Sequence, residues 1–179
     1  MKEQLISILP LMVLAGSALI VLLIITFVRN HLLINLVTML AYMLAMLSIV
    51  KLAGNGFSRL WFFSSSGFRP FILILLLFAS FIITLFSYSY LEVHAINKEE
   101  YYVLLLTASL GACSLVMSDH FIIFFLSLEL LSVSLFILIG YLRLTGFSIE
   151  AALKYLIISA ASSSFLLLGM AFIFHIQAV

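Results

Sequence analysis

Long apolar runs separated by short polar stretches dominate the chain. Charged residues and turn residues divide it into segments long enough to cross a bilayer, which takes roughly 20 apolar residues at about 1.5 Å of rise each. The pattern predicts six transmembrane helices, at residues 5–28, 32–52, 70–91, 101–117, 120–142 and 147–174. The fold class that follows is an all-α polytopic transmembrane protein.

Composition and charge support this interpretation. Of the 179 residues 66% are hydrophobic and 8% are charged, and the mean hydropathy is +1.38. A soluble domain could not cover so apolar a surface with polar side chains. The net charge of +1 predicts no nucleic-acid partner. The single cysteine, Cys113, rules out an internal disulfide and the cysteine pairs of metal centres, so we expect no metal or redox cofactor in this chain.

Two segments need separate interpretation. The uncharged run at 4–28 is longer than the apolar part of a signal peptide and has no clear cleavage site, so we expect a retained helix. Residues 54–69 combine glycines, aromatic residues and two arginines, which is typical of an interfacial loop. The basic residues other than Lys154 divide four against three between the two sides, so charge does not determine orientation.

One acidic residue interrupts the fifth segment, which reads FFLSLELLSVSLFI at 124–137. Glu129 lies ten residues after Asp119 and fourteen before Arg143, too deep for its carboxylate to reach the interface. A charge at the bilayer centre costs about 2.5 to 3.5 kcal/mol on insertion scales and is by default a functional candidate. We expect a polar neighbour or water beside it, with Ser132 on the same helix face.

A lysine lies inside the sixth segment. Glu150 precedes Lys154 by four residues, the favourable order for an ion pair on a helix. Glu129 is predicted to lie about 20 Å from the shared loop and Lys154 about 10 Å, so electrostatic coupling is expected more than direct contact. Desolvation and a nearby cation act on an acid in opposite directions and can tune it for proton exchange.

Small and hydroxylic residues mark candidate helix contacts. Ser127 and Ser134 form a second stripe on the fifth segment that could pack on another helix, and the SAASSS run at 159–164 allows close approach on any side. That run could face other membrane subunits or pack internally. The structural alternative for the buried acid is that Glu129 and a lysine partner only fasten helices together. The four histidines are expected at the interfaces: His31, His94, His120 and His175.

Two motifs carry a resemblance to a known family. The stretch at 99–143 contains LELLSVSL, and the stretch at 148–174 begins SIEAALKY. Together they closely resemble the subunit N family of proton-pumping NADH-quinone oxidoreductase, respiratory complex I. The related L and M subunits and the multisubunit sodium/proton antiporters share the architecture but differ at these motifs. The FSYSYLE stretch at 86–92 also resembles the family.

The resemblance implies a fold and a set of roles. The fold is the antiporter-like one of about fourteen helices, in which residues 1–100 are three leading helices and 101–179 begin the first repeat. Glu129 is implied to belong to a proton-translocation path, Lys154 to tune or relay along it, and Glu150 to be the neighbour of Lys154. The chain would be a non-redox subunit of a translocase, not catalytic alone, in a bacterial inner membrane. FMN and iron-sulfur clusters are implied in other subunits, with NADH and quinone as substrates of the complex.

The chain contains less than the family fold. In the family the main lysine partner of the fifth-helix acid lies on later helices, so we expect this chain to be incomplete alone. It could be a fragment, a truncated product or one part of a split subunit whose remaining helices come from a separate chain. Partners are expected to be other membrane subunits of the complex and the lipid bilayer. A subunit of a multisubunit sodium/proton antiporter and a non-catalytic membrane scaffold are the alternatives.

Overall fold

The computed structural model describes residues 8–54, 68–94, 98–141 and 147–177. Within them the chain forms six α-helices, each long and apolar enough to cross a membrane. Their bounds are α1 Leu9–Phe27, α2 His31–Gly54, α3 Phe68–His94, α4 Glu100–Met117, α5 Phe121–Ile139 and α6 Phe147–Gln177. The predicted all-α fold is confirmed, and the chain is a multi-pass membrane protein.

The helix bounds differ from the predicted segments by a few residues. The sixth helix continues to Gln177, and the third helix begins at Phe68 and ends at His94. Arg69 therefore belongs to the first turn of α3 and not to an interfacial loop. Pro70 is compatible with this position, because proline lacks a backbone N–H and the N–H groups of the first turn have no acceptor within the helix. The rest of the predicted loop, 55–67, lies outside the described residues, as do residues 1–7.

The first four helices form a closed bundle. Each packs on the next, and α4 packs back on α1. The described core cluster comes wholly from these helices: Leu14, Ala18, Val21, Ile34, Ala41, Tyr42, Ala45, Ile49, Leu73, Leu77, Leu91, Tyr102, Leu106 and Cys113. The bundle is therefore the part of the chain with an interior of its own.

Helices α5 and α6 lie outside this bundle. The contact between α4 and α5 is the most extensive one between described helices, and α6 packs chiefly on α5. Most large side chains of α5 and α6 are exposed, as expected for surfaces that meet lipid or further helices. Since α4 contacts both the leading helices and α5, the proposed division at residue 100 stays a prediction.

A glycine and two hydroxyls hold α5 against α4. A Cβ at Gly111 would lie 2.9 Å from the backbone nitrogen of Leu131, so the helices approach too closely for any side chain there. The Ser134 hydroxyl lies 3.1 Å from the Thr107 hydroxyl across the same contact. Ser127 and Ser134 are both buried, as their small-residue stripe predicted.

Substitution of Gly111 by alanine should separate these two helices. The added methyl group would overlap backbone atoms of α5, which cannot move aside as a flexible side chain can. We expect a loss of about 1–3 kcal/mol in the free energy of unfolding, the usual range for overpacking. Denaturation of the full chain in detergent, followed by circular dichroism, measures it.

Gly169→Ala is the matched control. A Cβ at Gly169 meets nothing within 4 Å, so this change should leave stability equal or slightly raised, since alanine favours helix more than glycine. Equal stability of the Gly111→Ala and Gly169→Ala chains would contradict the close α4–α5 approach.

Candidate functional site

Glu129 lies near the middle of α5, on the side that faces α6. It is ten residues from the C-terminal end of the helix at Ile139, or about 15 Å from that end of the span. Its side chain is partly buried. It makes no ion pair or hydrogen bond with any other described residue. The carboxylate is therefore held inside the membrane span without a protein partner in this part of the chain.

A small cavity adjoins this carboxylate between α5 and α6. Its lining contains the acid and three hydroxyl side chains, with the remaining wall apolar: Glu129, Ser132, Val133, Tyr155, Leu156, Ser159 and Ala160. Its volume of about 40 Å³ leaves room for a few water molecules, since one water needs on the order of 15 Å³ and two to four polar partners. The site can therefore solvate an ionised carboxylate at a depth where lipid cannot.

Ser132 lines this cavity, as its position three residues after Glu129 predicted. Ser159 lines it from the opposite helix. Within the 159–164 run, Ser159 lines the cavity of the acid and Ser163 is buried. Ser162 and Ser164 are exposed, and their hydroxyls donate to carbonyls of their own helix. The run packs internally on one face and is open on the other.

Lys154 does not share the cavity with Glu129. Ala152, Leu156, Ser159 and Ser163 mark the face of α6 that meets α5. Lys154 follows Ala152 by two residues, or about 200° around the helix, and so points away from α5. Among the described residues no ion pair joins Lys154 to Glu129, and the rotation of α6 is a reason for this that the depth estimate did not include.

Glu150 and Lys154 form the expected pair on this outer face. The Lys154 ammonium donates to the Glu150 carboxylate at 2.6 Å, and both side chains are more than half exposed. Exposed pairs of this spacing stabilise a helix by only about 0.3–0.5 kcal/mol. The pair therefore has little structural value in the described chain, and its roles in proton transfer stay predictions.

Other polar groups stabilise the helix ends. Arg69 donates to Asp119 at 2.7 Å, which ties the start of α3 to the α4–α5 turn, and Arg29 lies 3.8 Å from Glu100 on the other side. His31 bonds to Tyr102 and so joins α2 to α4 at that end of the bundle. Among the residues that the structure describes, no three His, Cys, Asp or Glu side chains come together.

Sequence reasoning missed Tyr155 as a cavity residue. It directly follows Lys154 in the sequence. The signal was available, since Tyr155 and Ser159 are four residues apart and share a helix face. The buried polar positions Asn35 and Tyr42 on α2 were also missed, because nothing in the local sequence separates them from ordinary core positions.

Comparison with known proteins gives consistent matches. A family model described as NADH:quinone oxidoreductase/Mrp antiporter, TM, matches residues 118–179, which include α5 and α6. NADH-quinone oxidoreductase subunit N of Buchnera aphidicola subsp. Acyrthosiphon pisum (strain APS) is 36% identical over 178 residues, 98% of this chain and 36% of that protein. Subunit N of Acinetobacter baumannii (strain AB0057) is 38% identical over 169 residues, 92% of this chain and 34% of that protein.

A solved structure shares the fold. A chain in the structure titled "Respiratory complex I from Thermus thermophilus with bound Aureothin" matches with a TM-score of 0.73 and 25% identity, over 93% of this chain and 36% of that chain. The fold and the family match together define an antiporter-like membrane subunit. Within that class the chain is homologous to NADH-quinone oxidoreductase subunit N, which confirms the resemblance found in its motifs. The chain spans about a third of the length of the curated relatives it matches.

Cross-linking between α5 and α6 should test the placement of the site. In a Cys113→Ala background, Ser132→Cys with Ser159→Cys places both thiols in the wall of one small cavity. A short bifunctional thiol reagent should join them, detected as one intramolecular adduct by intact-mass spectrometry. Ser132→Cys with Lys154→Cys should give no such adduct, because Lys154 lies on the far face of α6. Equal cross-linking of both pairs would contradict the register of α6 on α5.

Proposed function

We propose that this chain is part of the membrane arm of a proton-pumping NADH-quinone oxidoreductase and contributes Glu129 to its proton path. The observation that supports the proposal is the cavity in the membrane span that Glu129 lines together with Ser132, Tyr155 and Ser159. The homology to subunit N supports the assignment to this complex.

The cavity gives the acid the chemistry that proton transfer needs. An acid can pass protons only if both its forms are accommodated and if water or another group can exchange with it. Hydroxyls both donate and accept hydrogen bonds, so Ser132, Tyr155 and Ser159 can turn with water to suit either the carboxylate or the carboxylic acid. A proton delivered through this water protonates the carboxylate of Glu129 and leaves again to water.

Lys154 acts at a distance in this proposal. Its charge lies across the width of α6 from the cavity, and Glu150 at 2.6 Å neutralises much of its field. A change that opened the Glu150–Lys154 pair would expose the positive charge and favour ionised Glu129, because opposite charges in a low dielectric stabilise each other. Making and breaking this pair is therefore the proposed means by which Lys154 and Glu150 tune the acid.

The remaining parts of the reaction belong elsewhere. NADH oxidation and quinone reduction take place in other subunits with their FMN and iron-sulfur clusters, and this chain binds no redox cofactor. The chain works in a bacterial inner membrane, where other membrane subunits and the later helices of the antiporter-like fold cover the outer faces of α5 and α6. Those helices would meet Lys154 on its exposed face.

A sodium/proton antiporter subunit is the second candidate, because the matched family model covers both groups of proteins. The cavity fits either function, since an intramembrane acid in contact with water can exchange protons or bind a cation. The distinction lies in what drives the movement: electron transfer from NADH to quinone in one case and an ion gradient in the other.

Glu129→Gln should uncouple proton movement from electron transfer. Glutamine keeps the size and hydrogen bonding of the side chain but cannot exchange a proton. In inverted membrane vesicles that contain the assembled complex, we expect NADH-driven acidification to be largely lost, as for loss of a proton-transfer group. NADH oxidation by an artificial acceptor should be unchanged.

Glu92→Gln is the control, because Glu92 is exposed at the end of α3. It should retain normal acidification. Unchanged pumping in Glu129→Gln would refute the proposed role and favour a scaffold. Loss of sodium tolerance with intact NADH-linked pumping would favour the antiporter.

A further inference from the structure

A second polar face lies inside the α1–α4 bundle, away from Glu129. On α2, His31, Asn35, Thr38 and Tyr42 follow one another at spacings of four, three and four residues, so they lie along one helix face. The last three are buried, and Tyr42 is fully inaccessible. Polar side chains in such a position must be satisfied within the bundle, because lipid offers no partners.

At the end of the bundle His31 belongs to a cluster of polar and aromatic side chains from three helices, called here the His31 cluster. The His31 ring lies 2.9 Å from the Tyr102 hydroxyl on α4 and stacks on Tyr88 of α3 at 4.6 Å between ring centres. The Ser87 hydroxyl lies 3.2 Å from that of Tyr101 in the same region. These contacts join three helices and place exchangeable hydrogens at the membrane surface.

Deeper in the bundle a second pair spans the same helices. The Tyr42 hydroxyl lies 2.9 Å from the Ser109 hydroxyl on α4, and both residues are buried. The Ser109 hydroxyl also lies 2.9 Å from the carbonyl of Leu105. This pair is satisfied internally, but no hydrogen bond between described residues joins it to the His31 cluster.

Asn35 occupies the gap between the two groups. It follows His31 by one turn and precedes Tyr42 by two, and only 7% of it is exposed. Its side-chain oxygen is the one fully buried side-chain polar atom without a hydrogen-bond partner among the described residues. The nearby Thr38 hydroxyl cannot donate to it, because it already donates to the Asn35 backbone carbonyl at 2.7 Å.

We propose that Asn35 is a buried water-binding site between the His31 cluster and the Tyr42–Ser109 pair. A water donating to the Asn35 side-chain oxygen satisfies it, and the Thr38 hydroxyl oxygen is an acceptor for the second water hydrogen. Buried waters characteristically bind where polar groups would otherwise be unpaired, with about three hydrogen bonds each. Because Asn35 faces the inside of the bundle, no partner subunit can reach it.

The bound water has a consequence for hydrogen exchange. The polar groups of this face run from His31 at the helix end to Tyr42, about 16 Å along α2. A water at Asn35 lies between the two groups, so the Asn35 amide and the Thr38 hydroxyl can exchange hydrogens with it at a place separate from the cavity of Glu129. This inference does not rest on the proposed function, since it concerns only the α1–α4 bundle.

Water-edited solid-state NMR of the full labelled chain in lipid bilayers tests the site. Magnetisation should pass from water to the Asn35 side-chain amide and to Thr38. It should not reach Val21 within the same mixing time, because Val21 is fully buried at a comparable depth in α1. Water contact at Asn35 no greater than at Val21 would overturn the proposal.

A substitution distinguishes water bound at Asn35 from water that enters slowly along the bundle. Asn35→Leu has similar volume and no polar atoms, so the water signal at Thr38 should be lost while that at His31 remains. Ser48→Ala, at a buried position further along α2, should leave the Thr38 signal unchanged. A Thr38 signal that survives Asn35→Leu would refute the site, and the unsubstituted chain gives an independent answer if that variant does not fold.

Discussion

The lack of water in the bilayer core is the constraint on which the rest of this structure depends. Each polar group placed there needs a partner within the protein, since lipid supplies none. Most hydroxyl side chains meet the requirement locally by bonding to a carbonyl one turn back, as Ser80 and Thr84 do at 3.0 and 2.8 Å. Such groups cost little and say little about function. The informative groups are those that this local solution cannot satisfy, above all Glu129 and Asn35.

The packing of the helices separates these two groups. Asn35 lies inside the α1–α4 bundle, where a core of its own surrounds it. Glu129 lies outside the bundle, in the contact between α5 and α6, where the small residues Ser159 and Ala160 leave a cavity. Close approach at Gly111 fixes α5 against α4. The helix that contains the acid therefore packs tightly on α4 and less extensively on α6.

The opposite faces of α6 have different electrostatic surroundings. One face closes the cavity with Tyr155 and Ser159, and the other presents the Glu150–Lys154 pair away from the bundle. A charged pair in a membrane span is expected to face protein or water more than lipid. The pair is exposed in a chain that spans about a third of the length of its relatives.

The sequence by itself determined the helices, the membrane, the family and the residue types of the site. Segment lengths and hydropathy sufficed for the six spans, because crossing a bilayer sets a length that any apolar helix must meet. The isolated charge of Glu129 and the four-residue spacing of Glu150 and Lys154 are likewise local properties. Only the tertiary structure decided which side chains face one another: that Tyr155 joins the cavity, that Lys154 points away from it, and that the oxygen of Asn35 is left unpaired. These depend on how the helices are rotated and paired, and in a chain whose helices are apolar on nearly every side no hydrophobic stripe specifies that rotation. Small residues such as Gly111 and Ser134 specify it through close packing, which becomes visible only when the partner helix is in place.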